Sequence, residues 1–185
     1  PMPLALAFGT SVGLRLATIL YLLIGAEGAR RLGKLCFHDP WAALAVAWVF
    51  ALNGGVLVDC LGGFHIPAGN LPLPWLLLSV ARLHDRRWAG VGLGFWLAWA
   101  VLNPIHYATI YLGPIVALAW LRGLVVHWPR ASGPYLFRTC QGLGLFLALA
   151  GWRIATVAAV MRDFPRSMNS TYSETLWTVW IHLTE

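Results

Sequence analysis

The side chains of this chain that could move a proton or hold an anion are few, and they sit where long apolar runs break or end. Asn53, Asp59, His65, Asn70, Asn103 and His106 lie at such breaks, and Arg162, Asp163 and Arg166 follow the last run. Ionisable groups held near an apolar phase are costly, and they commonly line a cavity or a pathway. Together they predict a polar pocket, with Asp59 and His65 as its leading members and Asn53, Asn103 and His106 around them. The plainer alternative is that each is an interfacial residue hydrated on its own. Arg15 and Arg153 interrupt apolar runs. Arg153, with Arg162 and Arg166, is suited to hold an anionic phosphate. Arg15 lies mid-run and needs a carboxylate or carbonyl partner. Histidine is a common axial ligand for haem or pigment. However, His65, His106 and His182 show no helical pairing, so neither ligation is expected. Cys36, Cys60 and Cys140 are isolated and odd in number, which points to neither a disulfide framework nor a metal site. No nucleotide-binding glycine loop is present, and no cofactor is expected.

The elements that must position these groups follow from composition. Of 185 residues, 59% are hydrophobic and 11% charged, with a mean hydropathy of +0.69. A water-soluble domain carries about 25% charged residues to solvate its surface, so this chain is expected to have lipid as its solvent. The predicted fold is an all-α, polytopic transmembrane bundle. Residues 1–161 form the bundle, and 162–185 a non-cytoplasmic tail or the start of a following loop. Six spans are expected: Leu4–Ala26, Trp41–Val58, a short one from Trp75 to Leu83, Trp88–Leu102, Ile105–Leu121 and Tyr135–Met161. Asn53–Gly54–Gly55 suggests a break within the second. Gly62 to Asn70 reads as a loop or re-entrant segment, and Asn103–Pro104 separates the fourth span from the fifth. The opening on Pro1 without an initiator Met fits an internal segment of a longer chain.

Charge placement tests that count. If all six spans cross, the turns at 27–40, 82–88 and 122–138 share one side. They carry Arg30, Arg31, Lys34, Arg82, Arg86, Arg87, Arg122, Arg130 and Arg138, nine of the thirteen basic residues. Lys and Arg collect in cytoplasmic loops, so the net charge of +6 reads as topology rather than as affinity for nucleic acid. The expected location is a bacterial inner membrane, basic loops inside, with the polar pocket facing out.

The order of several segments resembles polytopic membrane glycosyltransferases of the GT-C type. These are Ala29–Arg30–Arg31–Leu32–Gly33 followed by Phe50 to Gly55; Gly63–Phe64–His65 with Leu73–Pro74–Trp75; Leu102 to Tyr107; and Gly151–Trp152–Arg153 followed by Arg162 to Arg166. The resemblance implies transfer of a sugar from a polyprenyl-phosphate donor outside the cytoplasm, with a lipid-linked sugar as partner. It departs at Asn103–Pro104, where such proteins carry glycines, and at Phe64, which separates Gly63 from His65. The outer loop that bears their catalytic carboxylate has no counterpart among these residues. No catalytic residue is therefore assigned, although Asp59 and Asp163 are the carboxylates nearest that role. The alternative expectation is a non-catalytic accessory subunit of a larger membrane complex, photosynthetic or respiratory, with other membrane subunits and membrane lipid as partners.

Overall fold

A computed structural model describes residues 6–53, 71–102, 106–127 and 132–163. Among the described residues the chain is all-helical, in six main helices. These are α1 (Thr10–Phe37), α2 (Pro40–Ala51), α3 (Pro72–Ala81), α4 (Ala89–Leu102), α5 (His106–His127) and α6 (Ser132–Asp163). The chain divides into two compact units, Pro1–Ala150 and Gly151–Glu185.

Three boundaries differ from the sequence reading. The expected turn at 27–40 is mostly helix, because α1 continues to Phe37. Glu27 bonds Arg30 and Arg31, three and four residues on, which is the spacing at which charged pairs support a helix. Glycines do not break it there because they are packing sites. A Cβ at Gly28 would lie 2.5 Å from Trp75 Nε1, and one at Gly33 would lie 3.1 Å from Ala43 Cα. The real turn is two residues long. His38 takes the left-handed conformation (φ 58°) and returns its N–H to the Lys34 carbonyl. Asp39 accepts from Ala42 N at 2.7 Å, and Pro40 opens α2 at the position where a missing N–H costs nothing. Likewise α5 runs six residues past Leu121 to His127, and α6 begins at Ser132 rather than Tyr135.

Length also separates the helices. Among the described residues, one segment, Ser132–Ala159 of α6, is long and apolar enough to cross a membrane. At 1.5 Å per residue, α2 and α3 reach only about 18 and 15 Å, against about 30 Å of hydrocarbon. Six full-length crossings are thus not what the described helices provide. Instead α3 is an inner helix, with Pro72, Pro74, Leu76, Leu78, Ser79 and Val80 all buried. Its neighbours are α1, α4 and α5. Trp75 donates its indole N–H to the Ile24 carbonyl of α1 at 2.8 Å. The core joins Leu76, Val80 and Leu83 to Ala89, Leu93 and Tyr135, with Trp96, Val116 and Trp120 packed on it. By contrast α2 turns Trp41, Leu44, Trp48 and Val49 outward. That spacing is one continuous stripe of an α-helix, and it is apolar.

Candidate functional site: an arginine basin beside an apolar cavity

The residues expected to form the outer pocket are thinly represented. Asn53 is exposed just beyond the end of α2. Asp59, His65 and Asn103 lie outside the described residues, as do Arg166 and the tail. His106 opens α5, but its side chain too lies outside them. Arg153 is half-buried on α6, and Arg162 is exposed in its last turn, where a cation suits the negative end of the helix dipole. Arg15 is exposed and, among the described residues, has no ion-pair partner.

The groups the fold does bring together are those that the sequence reading had used only as markers of sidedness. A cavity of about 920 Å³ is lined by Arg31 of α1, by Arg82, Asp85, Arg86 and Arg87 of the α3–α4 turn, and by Arg138 of α6. Trp75, Trp88 and Trp96 line it as well. Three sequence-distant segments thus meet at one end of the bundle. The turn is anchored by Leu83, which is fully buried, and closed by the Arg86 and Ala89 amides donating to the Arg82 and Arg86 carbonyls. The Leu83 side chain therefore points into the core while its carbonyl accepts from Arg138 Nη1 at 2.6 Å. Arg31 lies over the Trp75 ring, 5.2 Å from its centre, and Trp75 stacks on Trp96 at 5.3 Å. The cation–π contact helps to fix the Arg31 guanidinium, which is also paired with Glu27.

Five arginines against one lining carboxylate, Asp85, leave a formal charge of +4 (5 − 1) on the basin. Asp85 lies 3.8 Å from Arg86, too far to quench it fully. Just outside, Glu27 accepts from Arg30 and Arg31 at 2.7 Å each. Those hydrogen bonds hold its carboxyl down at about 2, against an ordinary 4.5. Glu27 is therefore an anion at any physiological pH and a poor general base. A sign for stability follows. The folded carboxyl stays ionised to about pH 2 while the unfolded one protonates near 4.5. Its contribution is complete above about pH 4.5 and disappears as pH falls toward 2. Because the pair is partly exposed, solvent screening limits it to about 1 kcal/mol or less. Glu27→Gln is expected to flatten the thermal-midpoint profile between those two pH values and to leave the profile above pH 5 parallel to that of the natural chain.

On the opposite face of α3 and α4 lies a second, apolar cavity of about 360 Å³. Leu76, Val80, Leu93 and Leu97 line one wall, and Val116 and Leu143 the other. Its polar lining groups satisfy one another, since Trp120 Nε1 donates to Thr139 Oγ1 and Thr139 in turn donates to the Tyr135 carbonyl. That leaves a site suited to hydrocarbon rather than to a polar substrate. Among the described residues no group of His, Cys, Asp or Glu is gathered to hold a metal ion.

Among the described residues, fold and site together define an all-α chain with one helix long and apolar enough to cross a membrane, a cationic basin and an apolar cavity. Comparison with family models, with characterised proteins and with solved structures finds no match. Sequence reasoning missed the basin because Arg31, the turn and Arg138 are separated by about fifty residues each in sequence. The available signal was the turn itself, where Arg82, Arg86 and Arg87 stand next to Trp88.

Proposed function

We propose that this chain is a polytopic helical module of a bacterial cytoplasmic membrane. It crosses about six times with its basic end in the cytoplasm, and serves as a non-catalytic accessory subunit packed into a larger membrane assembly. The observation that carries this reading is α6. Its 28-residue apolar segment Ser132–Ala159 is only 11% buried over its most apolar window, and Phe137, Leu147, Trp152 and Val157 are exposed along it. Apolar area on that scale needs lipid or another protein against it. The buried position of the short helix α3 also supports several crossings, because short or broken segments are tolerated at membrane depth when protein surrounds them.

Photocrosslinking in native membranes tests this reading. A photoreactive residue placed at Leu147 or Val157 is expected to give an adduct of one discrete protein mass. Adducts with lipid alone would overturn the accessory role, and recovery of the chain in the soluble fraction would overturn membrane residence.

A second reading keeps the glycosyltransferase resemblance, and the apolar cavity favours it. Branched hydrocarbon such as a polyprenyl chain matches a wall of Leu76, Val80, Leu93, Leu97 and Leu143. A photoreactive polyprenyl phosphate should then label Leu97 or Leu143, and Leu97→Trp should block the labelling. Labelling unaffected by that substitution would count against it.

A further inference from the structure

We propose that the arginine basin at the α3–α4 turn binds the headgroup of an anionic phospholipid. This rests on the multi-span membrane reading, and it adds a ligand and a site to it. Four observations converge. First, the basin carries five guanidiniums against one carboxylate, and guanidinium is the side chain best matched to phosphate, to which it can donate two parallel hydrogen bonds. Second, three of those cations are pre-placed: Arg138 is held by the Leu83 carbonyl, Arg31 by Glu27 and the Trp75 face, and Arg87 lies 5.8 Å from the Trp88 ring. A site whose donors are already ordered loses less conformational entropy on binding.

Third, the volume of about 920 Å³ exceeds what a lone phosphate needs and admits a glycerophosphate headgroup. Fourth, the rim is aromatic. Trp88 is 68% exposed beside the turn, and Trp75 and Trp96 line the wall. Indole rings favour the depth of the headgroups, where one edge meets hydrocarbon and the other water. Basic pockets between membrane helices on the cytoplasmic side suit anionic headgroups. Free phosphate would use the same arginines, but it would gain nothing from the exposed Trp88 ring. The phospholipid is therefore the occupant assigned.

The test uses the full chain, purified in a neutral detergent. It is titrated with short-chain phosphatidylglycerol, short-chain phosphatidylcholine, glycerol phosphate and inorganic phosphate, with affinity read by calorimetry. Phosphatidylglycerol is expected to bind most tightly, and rising salt to weaken it. Each arginine facing an anionic lipid contributes about fivefold in affinity. Arg82→Ala with Arg87→Ala should therefore weaken phosphatidylglycerol about 25-fold while leaving helix content unchanged. Arg122→Ala, an exposed arginine of α5 outside the basin, should leave it unchanged. An equal loss in the Arg122 variant would mean diffuse attraction rather than a site and would overturn the proposal. So would phosphatidylcholine or inorganic phosphate binding as tightly as phosphatidylglycerol. The two readings fail separately. A chain that stays soluble without detergent removes the membrane reading, whereas a membrane-resident chain with no preference for phosphatidylglycerol removes the basin alone.

Discussion

Replacing Gly94 with leucine is expected to lower the thermal midpoint of the purified chain by about 6–12 °C. The reason is a backbone-to-backbone crossing of α4 and α6. A Cβ built on Gly94 collides with the Gly142 carbonyl oxygen, and one on Gly90 with that of Arg138. A Cβ on Gly142 would lie 2.7 Å from the Gly90 carbonyl and 3.4 Å from Gly94 N. The obstacles are backbone atoms held in helices, so no side chain can rotate away to make room. Overpacking at such a site costs about 3 kcal/mol, and in a unit of this size each kcal/mol moves the midpoint by about 2–4 °C. Gly90 and Gly94 are one helical turn apart, the spacing by which small residues let two membrane helices approach closely. Gly144, two residues beyond Gly142, has nothing within 4 Å of its Cβ position. Gly144→Ala should therefore leave the midpoint unchanged or raise it, since alanine is the better helix former by about 1 kcal/mol. Equal losses at Gly94 and Gly144 would show that the crossing does not exist.

Tyr135→Ala is expected to be the other severe change. Tyr135 is 1% exposed and belongs to the buried cluster that ties the turn after α3 to α4 and α6. Its ring packs near that of Trp120, 6.1 Å between centres, and its hydroxyl donates to the Trp120 carbonyl at 2.9 Å. Gly123 makes room for it: a Cβ there would lie 2.5 Å from the hydroxyl. Truncating a buried aromatic removes its transfer free energy and leaves a void, at a cost of about 3–5 kcal/mol. Tyr135→Phe keeps the ring and loses only the hydrogen bond, at about 1 kcal/mol. The two variants, followed by circular dichroism during heating, should rank alanine far below phenylalanine and phenylalanine slightly below the natural chain. Similar midpoints for the two would mean that the hydroxyl, not the ring, holds the position. Because Tyr135 lies three residues before Arg138 on α6, its loss should also loosen the basin.

The secondary structure was legible in the sequence wherever apolar runs met strong local punctuation. Pro72 and Pro74 open α3, and Ala89 to Leu102 is apolar throughout, so those helices lie where hydropathy places them. The reading failed at Glu27–Phe37. A charged, glycine-containing stretch resembles a turn until Glu27 is seen paired with Arg30 and Arg31, and Gly28 and Gly33 are seen pressed against Trp75 and α2. Glycine is a breaker in isolation and a contact point in a packed bundle. That difference belongs to the neighbour rather than to the residue.

By itself, then, the sequence determined that the chain is helical, that its composition is unusually apolar, and that most of its cations, Arg15 and Arg153 excepted, lie between its apolar runs. These properties are sums over residues and need no knowledge of what touches what. Tertiary structure decided which cations act together. Arg31, Arg87 and Arg138 are ordinary singly, and fifty or more residues separate each from the next. They meet because buried Leu83 pins the α3–α4 turn, Trp75 bridges α3 to α1, and the glycines of α4 admit α6 closely enough for Arg138 to reach the Leu83 carbonyl. Electrostatic strength depends on distance, and distances between remote segments are set only by packing.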